Sequence, residues 1–353
     1  MSGRSDNRFD ELRLLAAWLV LFSHSYPLYG MKVADPFART VGVDTFGGVG
    51  VSIFFVLSGF LVMQSWERAN GVLDFAWKRI RRIYPALFVC VAICVFLLGP
   101  IVTTRTLTNY FADTQTWEYF KNATAWSVRY GLPGVFENLP APNAVNGSLW
   151  SLPYEIKCYF AVVLIALVPF SSRWKLLVIV FILSTALLVR PLSPPADAWG
   201  RAFALDYYEN KLGLYFAIGA LLAAWRDRWL AHAKWLWLSA IPLLLVLQME
   251  HSSGKLLAYV IFSAMTIMAF GIAAKWLPSL PTRMGDWSYG MYLYAFPVQQ
   301  LFALIAKYFP MPFGLYVLLC TIVSLALAAL SWFGIERWFV KARSKRESAL
   351  RSA

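Results

Sequence analysis

Glu11 to Gly30 reads ELRLLAAWLVLFSHSYPLYG. A run of this length matches the roughly 20 residues that a helix needs to cross about 30 Å of hydrocarbon. It carries Arg13 near its start and His24 eleven positions later. Eleven steps of about 100° return nearly to the same helix face, and at 1.5 Å per residue they separate the two side chains by roughly 16 Å. An ionisable group in hydrocarbon costs about 2.5 to 3.5 kcal/mol on insertion scales, so this face is expected to look onto protein or a water-filled cavity. A packed histidine beside a snorkelling arginine accounts for the same pattern on this helix alone.

Outward from that stretch, the composition repeats its message. Of the 353 residues, 59% are hydrophobic, 17% aromatic and only 14% charged. Further apolar stretches of spanning length occur at about 47–66, 83–102, 149–169, 174–190, 207–225, 234–249, 255–274, 287–307 and 313–335. With 12–29 these predict an all-α polytopic membrane protein of about ten transmembrane helices, one transmembrane domain over 1–340 and a basic tail over 341–353. An even number leaves both termini on one side. The loops on that side hold 21 Lys and Arg against 10 on the other, so by the positive-inside rule both termini are expected to be cytoplasmic. The net charge of +13 thus reports topology, and no nucleic-acid partner is expected. Cys90, Cys94, Cys158 and Cys320 lie in apolar segments without paired-motif spacing, so neither disulfides nor a metal site are expected. The first helix lacks a small-residue cleavage signature and is read as retained.

Several segments carry more than topology. The second span has Gly48, Ser52 and Gly59 on a small-residue stripe on which a neighbouring helix can pack closely, and packing of that kind against the first helix would help to fix His24. Before the third span, Lys78-Arg79-Ile80-Arg81-Arg82 is the most basic loop of the protein. If it enters the span as helix, Arg79 and Arg82 share a face with Lys78 beside them. Two such guanidiniums suit a bidentate phosphate clamp, although a topology-setting cluster touching anionic lipid has the same composition. The stretch 103–147 reads as a long outer loop without obvious structure, dotted with Trp117, Tyr119, Trp126 and Tyr130. Glu155, in the fourth span after Ser148-Leu149-Trp150-Ser151, lies at a depth His24 also reaches from the other side. A buried carboxylate there would orient the imidazole and stabilise its charged form, or pair structurally with Lys157. His232 and His251 fall in loops, which leaves His24 as the only histidine within a predicted span.

Five separated pieces together resemble one family. The Arg13 to His24 spacing, Phe54-Phe55-Val56-Leu57-Ser58-Gly59-Phe60, Arg79-x-x-Arg82-Ile83-Tyr84-Pro85, Ser148-Leu149-Trp150-Ser151 to Glu155, and Ser288-Tyr289-Gly290-Met291-Tyr292-Leu293 are similar, in this order, to the acyltransferase-3 family of membrane acyltransferases. The resemblance implies transfer of an acyl group, usually acetyl, from cytoplasmic acetyl-CoA to a hydroxyl of a glycan at or beyond the bacterial inner membrane. By that likeness His24 is the catalytic base or acyl acceptor and Glu155 supports it. Arg13, Lys78, Arg79 and Arg82 serve the CoA side, and Trp150 and Tyr289 are candidates for binding the acceptor. The chain departs from many relatives at Ala295, where they carry a histidine before Phe296-Pro297, and it shows no C-terminal hydrolase-like domain. A neutral imidazole within hydrogen-bond reach of an alcohol can take its proton as it attacks a thioester carbonyl, which fits this layout. The alternative is a transporter or flippase with His24 and Glu155 as a proton relay, but no duplicated pair of broken helices supports it.

Overall fold

The computed structural model describes residues 7–33, 35–168, 171–189, 207–250, 252–274, 276 and 285–340. The basic tail over 341–353 and His251 lie outside the described residues. Those described are helical or irregular, with no strand among them. Each predicted span overlaps a helix, in places only partly. These are α1 (Phe9–Tyr29), α2 (Phe46–Glu67), α3 (Val72–Ile93), α4 (Leu152–Leu167), α5 (Ser172–Val189), α6 (Tyr207–Ala224), α7 (Ala240–Leu247), α8 (Ser253–Ala273), α9 (Ser288–Tyr308) and α10 (Phe313–Ser331). Among the described residues six helical segments are long and apolar enough to cross a membrane: Phe46–Glu67, Val72–Val102, Gly147–Leu167, Arg226–Leu247, Ser253–Ala273 and Phe313–Val340. The protein is therefore a membrane protein.

Local chemistry sets several helix ends. Asp10 and Glu11 occupy the first turn of α1, where the exposed N–H groups favour negative charge. Thr45 caps α2 by accepting from Gly48 N at 2.8 Å, and Ser252 caps α8 by accepting from Lys255 N at 3.1 Å.

The chain forms two compact bodies. The first comprises Met1–Arg13, Pro36–Val72 and Tyr154–Ser279. Its closest helix pair is α2 with α6. A Cβ on Gly59 would overlap the Phe216 carbonyl, and one on Gly219 would overlap the Val56 carbonyl. The small-residue stripe of α2 thus receives α6. That agrees with the expectation of a close neighbouring helix, here α6 at Gly59. At one end of this body Lys211 Nζ and Asp44 Oδ2 form a buried ion pair at 2.7 Å. Nearby, Lys255 Nζ donates to the carbonyls of Val41 (3.1 Å) and Met249 (2.7 Å). At the other end Arg8 N donates to Gly271 O, and Phe9 packs where a Gly271 side chain would stand.

The second body comprises Leu14–Asp35, Leu73–Pro153 and Leu280–Ala353. Two expectations change here. The basic run Lys78–Arg82 lies within α3, which begins at Val72, so it is helix from the start and no loop. The stretch 103–147 is folded as well, with helices Leu107–Ala112 and Thr114–Glu118 and a 3₁₀ turn at Tyr119–Thr124. A π-helical turn at Cys94–Leu98 helps explain why this segment stays put. Such a turn widens the backbone ladder, and the Val95 carbonyl accepts from Tyr110 OH at 3.0 Å, with the Tyr110 side chain fully buried. That burial pushes the Tyr110 phenol above its ordinary pKa. Hydropathy could not foresee these bonds, because one partner of each is a backbone carbonyl.

Candidate active site

The second body is organised on α9, which is buried on every side from Gly290 to Gln300. Pro297 sits inside it and has no N–H to offer, so the carbonyl of Leu293, four residues earlier, loses its helical partner. Asn146 replaces that donor. Its Nδ2 reaches Leu293 O at 2.9 Å, and Cys90 Sγ approaches the same oxygen at 3.5 Å. The Asn146 side-chain oxygen meanwhile accepts from Ser148 N at 3.2 Å and opens the 3₁₀ turn Gly147–Ser151. Tyr292 closes the arrangement. Its OH donates to the Ser148 carbonyl and lies 2.8 Å from Ser151 Oγ. Gly147 has to be glycine here, since a Cβ would fall 2.5 Å from the ring of Phe296.

Phe296 is also what His24 meets. The two rings stand edge to face at 5.4 Å and 77°. On either side of His24 the α1 side chains are occupied. Ser23 Oγ donates to the buried Asp35 at 2.6 Å. Ser25 Oγ accepts from Gln299 Nε2 at 2.8 Å, and the same amide reaches Leu21 O at 2.8 Å. Gln299 is fixed in turn by Tyr316, whose OH donates to its carbonyl at 3.0 Å. His24 differs from these neighbours. Its Nδ1 is enclosed and has no hydrogen-bond partner among the described residues, yet the residue as a whole is only half-buried, so its accessible surface lies on other atoms. A buried polar atom left unpaired costs about 1–3 kcal/mol.

The cations of α3 are engaged. Lys78 pairs with Asp74 at 2.6 Å, the Arg79 guanidinium lies 6.0 Å from the Phe75 ring, and Arg81 stacks over Trp77 at 4.8 Å. Arg82 bonds Asp286 at 2.5 Å and approaches Glu336 at 4.0 Å. A second π-helical turn, Trp332–Glu336, carries Glu336 at the end of α10, and Ser331 Oγ donates to its Oε1 at 2.8 Å. Tyr289 lies under the Arg82 guanidinium at 5.8 Å and donates its OH to Ile83 O at 3.0 Å. The helix thus brings Arg82 and Tyr289 together, with Arg82 held by two carboxylates. Trp150 is half-buried on the 3₁₀ turn that Asn146 anchors.

Two of the sequence candidates belong to the first body. Arg13 is half-buried on α1. Glu155, near the start of α4, accepts from Ser58 Oγ at 3.3 Å and from Tyr159 OH one turn on. Those bonds tie the Ser58-Gly59 segment of α2 to α4. Lys157, its other expected partner, pairs with Glu209. Sequence reasoning missed Asn146 and the Gln299–Gln300 pair. The legible signal was Pro297, because a proline inside an apolar span orphans a carbonyl and requires a donor from elsewhere.

A helical membrane protein is the class that these features define among the described residues; His232, expected in a loop, lies within the helical segment Leu230–Ser239 and inside the candidate span Arg226–Leu247, because the apolar run there starts earlier than hydropathy alone placed it. The chain belongs to the acyltransferase-3 family, whose acyltransferase domain matches residues 6–333, and the protein is an acyltransferase enzyme. It is similar to an O-acetyl transferase of Shigella phage Sf6, 32% identical over 97% of this chain and 98% of that one. It is also similar to nodulation protein 10 of Rhizobium leguminosarum bv. viciae, 30% identical over 96% and 94%. A shorter match joins it to the peptidoglycan O-acetyltransferase OatA of Listeria monocytogenes, 29% identical over 32% of this chain and 18% of the relative. No solved structure matches the chain.

Proposed function

We propose that the protein moves an acyl group, acetyl in this reading, from cytoplasmic acyl-CoA to a hydroxyl of a cell-surface or lipid-linked glycan in the bacterial inner membrane. On this reading residues 1–340 form one domain of ten spans with both termini in the cytoplasm and 341–353 a basic tail there. The likeness to the phage O-acetyl transferase supports O-acetylation, and that to the Listeria peptidoglycan O-acetyltransferase supports a glycan acceptor.

His24 takes the proton from the acceptor hydroxyl as the oxygen attacks the thioester carbonyl. The carbon–sulfur bond then breaks, the thiolate leaves with a proton, and the products are the O-acyl glycan and free CoA thiol. In this scheme Glu155 is assigned the supporting role. Arg13, Lys78 and Arg79 present positive charge to the anionic donor, and Arg82, held by Asp286 and Glu336, fixes the end of α9. Trp150 and Tyr289 flank the acceptor. No metal takes part in this scheme.

The single observation that carries the reading is the enclosed, unpartnered Nδ1 of His24 on a helix whose neighbouring serines are already bonded. The test is release of CoA thiol and label transfer from acetyl-labelled acetyl-CoA in membranes holding wild-type or His24→Ala protein. Loss of transfer with unchanged protein level is expected, and undiminished glycan acylation in the variant overturns the scheme.

A further inference from the structure

The first body contains a cavity of about 660 Å³ that the scheme above does not use. It opens where the start of α1, the ends of α2 and α8, and the turn following α6 come together, and a volume of this size suits a cofactor-sized ligand. Its walls divide by chemistry. Phe60 provides an aromatic wall and is held edge to face by Phe9 at 5.5 Å and by Trp229 at 6.3 Å. Arg226 and Lys234 supply the charge, Gln64 and Asn7 supply amides, and no carboxylate is among the described lining residues. Arg226 is fixed in place by Glu67 at 2.5 Å. Lys234 lies 5.5 Å from the Trp235 ring and has no ion-pair partner among the described residues. An apolar wall to which the 5%-exposed Phe60 contributes, amide groups able to read a base edge, and a lysine without an ion-pair partner among the described residues suit a ligand with a planar heterocycle next to a phosphate.

We infer that this cavity binds the 3′-phosphoadenosine end of the acyl donor, with Lys234 on the phosphate and the base against Phe60. The inference rests on the acyl-CoA reading above and adds to it the place where the nucleotide is held. An anionic lipid headgroup shares the phosphate but lacks the base.

The test uses full-length protein in nanodiscs and adenosine 3′,5′-bisphosphate as the probe, with binding measured by calorimetry. Lys234→Gln is expected to weaken binding about tenfold, the effect of one lost phosphate contact. It should raise the KM for acetyl-CoA by a similar factor with kcat little changed. Ala231→Trp, which fills the cavity without removing a charge, is expected to do the same. His24→Ala should bind the nucleotide as wild type does while losing transfer, so a failure of the chemical scheme is distinguishable from a failure of this site. Unchanged nucleotide affinity in both cavity variants overturns the inference. So does a loss confined to retention of phosphatidylglycerol, which would assign the cavity to lipid.

Discussion

The bond from Asn146 to Leu293 permits a sharp test, because the need for it arises from another residue. Pro297 leaves the Leu293 carbonyl without a helical donor, and Asn146 Nδ2 fills the gap at 2.9 Å. Asn146→Ala strands that oxygen in a fully buried place, with only the weak Cys90 thiol at 3.5 Å remaining. An unsatisfied buried acceptor costs about 1–3 kcal/mol, and loss of the cap on Ser148 N adds about 1 kcal/mol. The single variant should therefore lose about 2–4 kcal/mol of stability. Pro297→Ala restores an N–H four residues from Leu293. In the double variant the helix satisfies its own carbonyl, so the two changes should couple by about 1–2 kcal/mol in the favourable direction.

The assay is equilibrium unfolding of the purified protein in mixed detergent micelles, for both single variants and the double. Additivity within about 0.5 kcal/mol would refute the reasoning, because it would mean that Asn146 does not serve the proline-freed carbonyl. Catalysis supplies a second readout. The turn opened by Asn146 holds Gly147 against Phe296, and Phe296 is the ring that meets His24. Asn146→Ala should lower kcat more than it raises the KM for the acyl donor, and the double variant should recover part of the loss.

Other regions give shorter tests. Arg82→Gln leaves the Asp286 and Glu336 side chains, 12% and 3% exposed, without this cation; it should cost about 3–5 kcal/mol in the same unfolding assay, and Asp286→Asn less. Gly59→Leu drives a side chain into the Phe216 carbonyl and should cost about 1–3 kcal/mol or prevent insertion, whereas Gly314→Leu, with open space around it, should be neutral in a thermal-shift measurement. Lys211→Met leaves buried Asp44 without its partner at 2.7 Å and should cost about 3–5 kcal/mol, with much of the loss recovered in the Asp44→Asn, Lys211→Met double variant.

The sequence made the spans legible because crossing a bilayer imposes length and hydropathy on each helix separately. It made His24 conspicuous because an ionisable group inside such a pattern is costly, whereas the α3 cations stood out only as a basic cluster read as a loop. What holds His24 in place was much less visible, and the reason is chemical. In the second body the organising bonds run from side-chain donors to backbone acceptors: Asn146 to Leu293, Tyr292 to Ser148, Gln299 to Leu21, and Gln300 to Ala141 and Ala144 at 2.7 and 2.6 Å. A backbone carbonyl is present whatever residue carries it, so the accepting half of each pair leaves no mark in the sequence. It also follows that the two halves should respond differently to substitution. At Leu21 and Leu293, exchange for another apolar residue of similar volume keeps the acceptor and should cost under about 1.5 kcal/mol. At Asn146 and Gln299, the isosteric exchanges to Asp and Glu replace a donating amide with a group that, when ionised, only accepts; the first strands the Leu293 carbonyl, and the second removes one of the two side-chain donors to the Leu21 carbonyl, leaving Ser25 Oγ at 2.9 Å. A saturation scan of these positions, scored by glycan acetylation in cells at matched protein level, should show acceptor sites tolerant of apolar residues and donor sites restricted to their amide. Equal tolerance at both would mean that these bonds do not hold the site together.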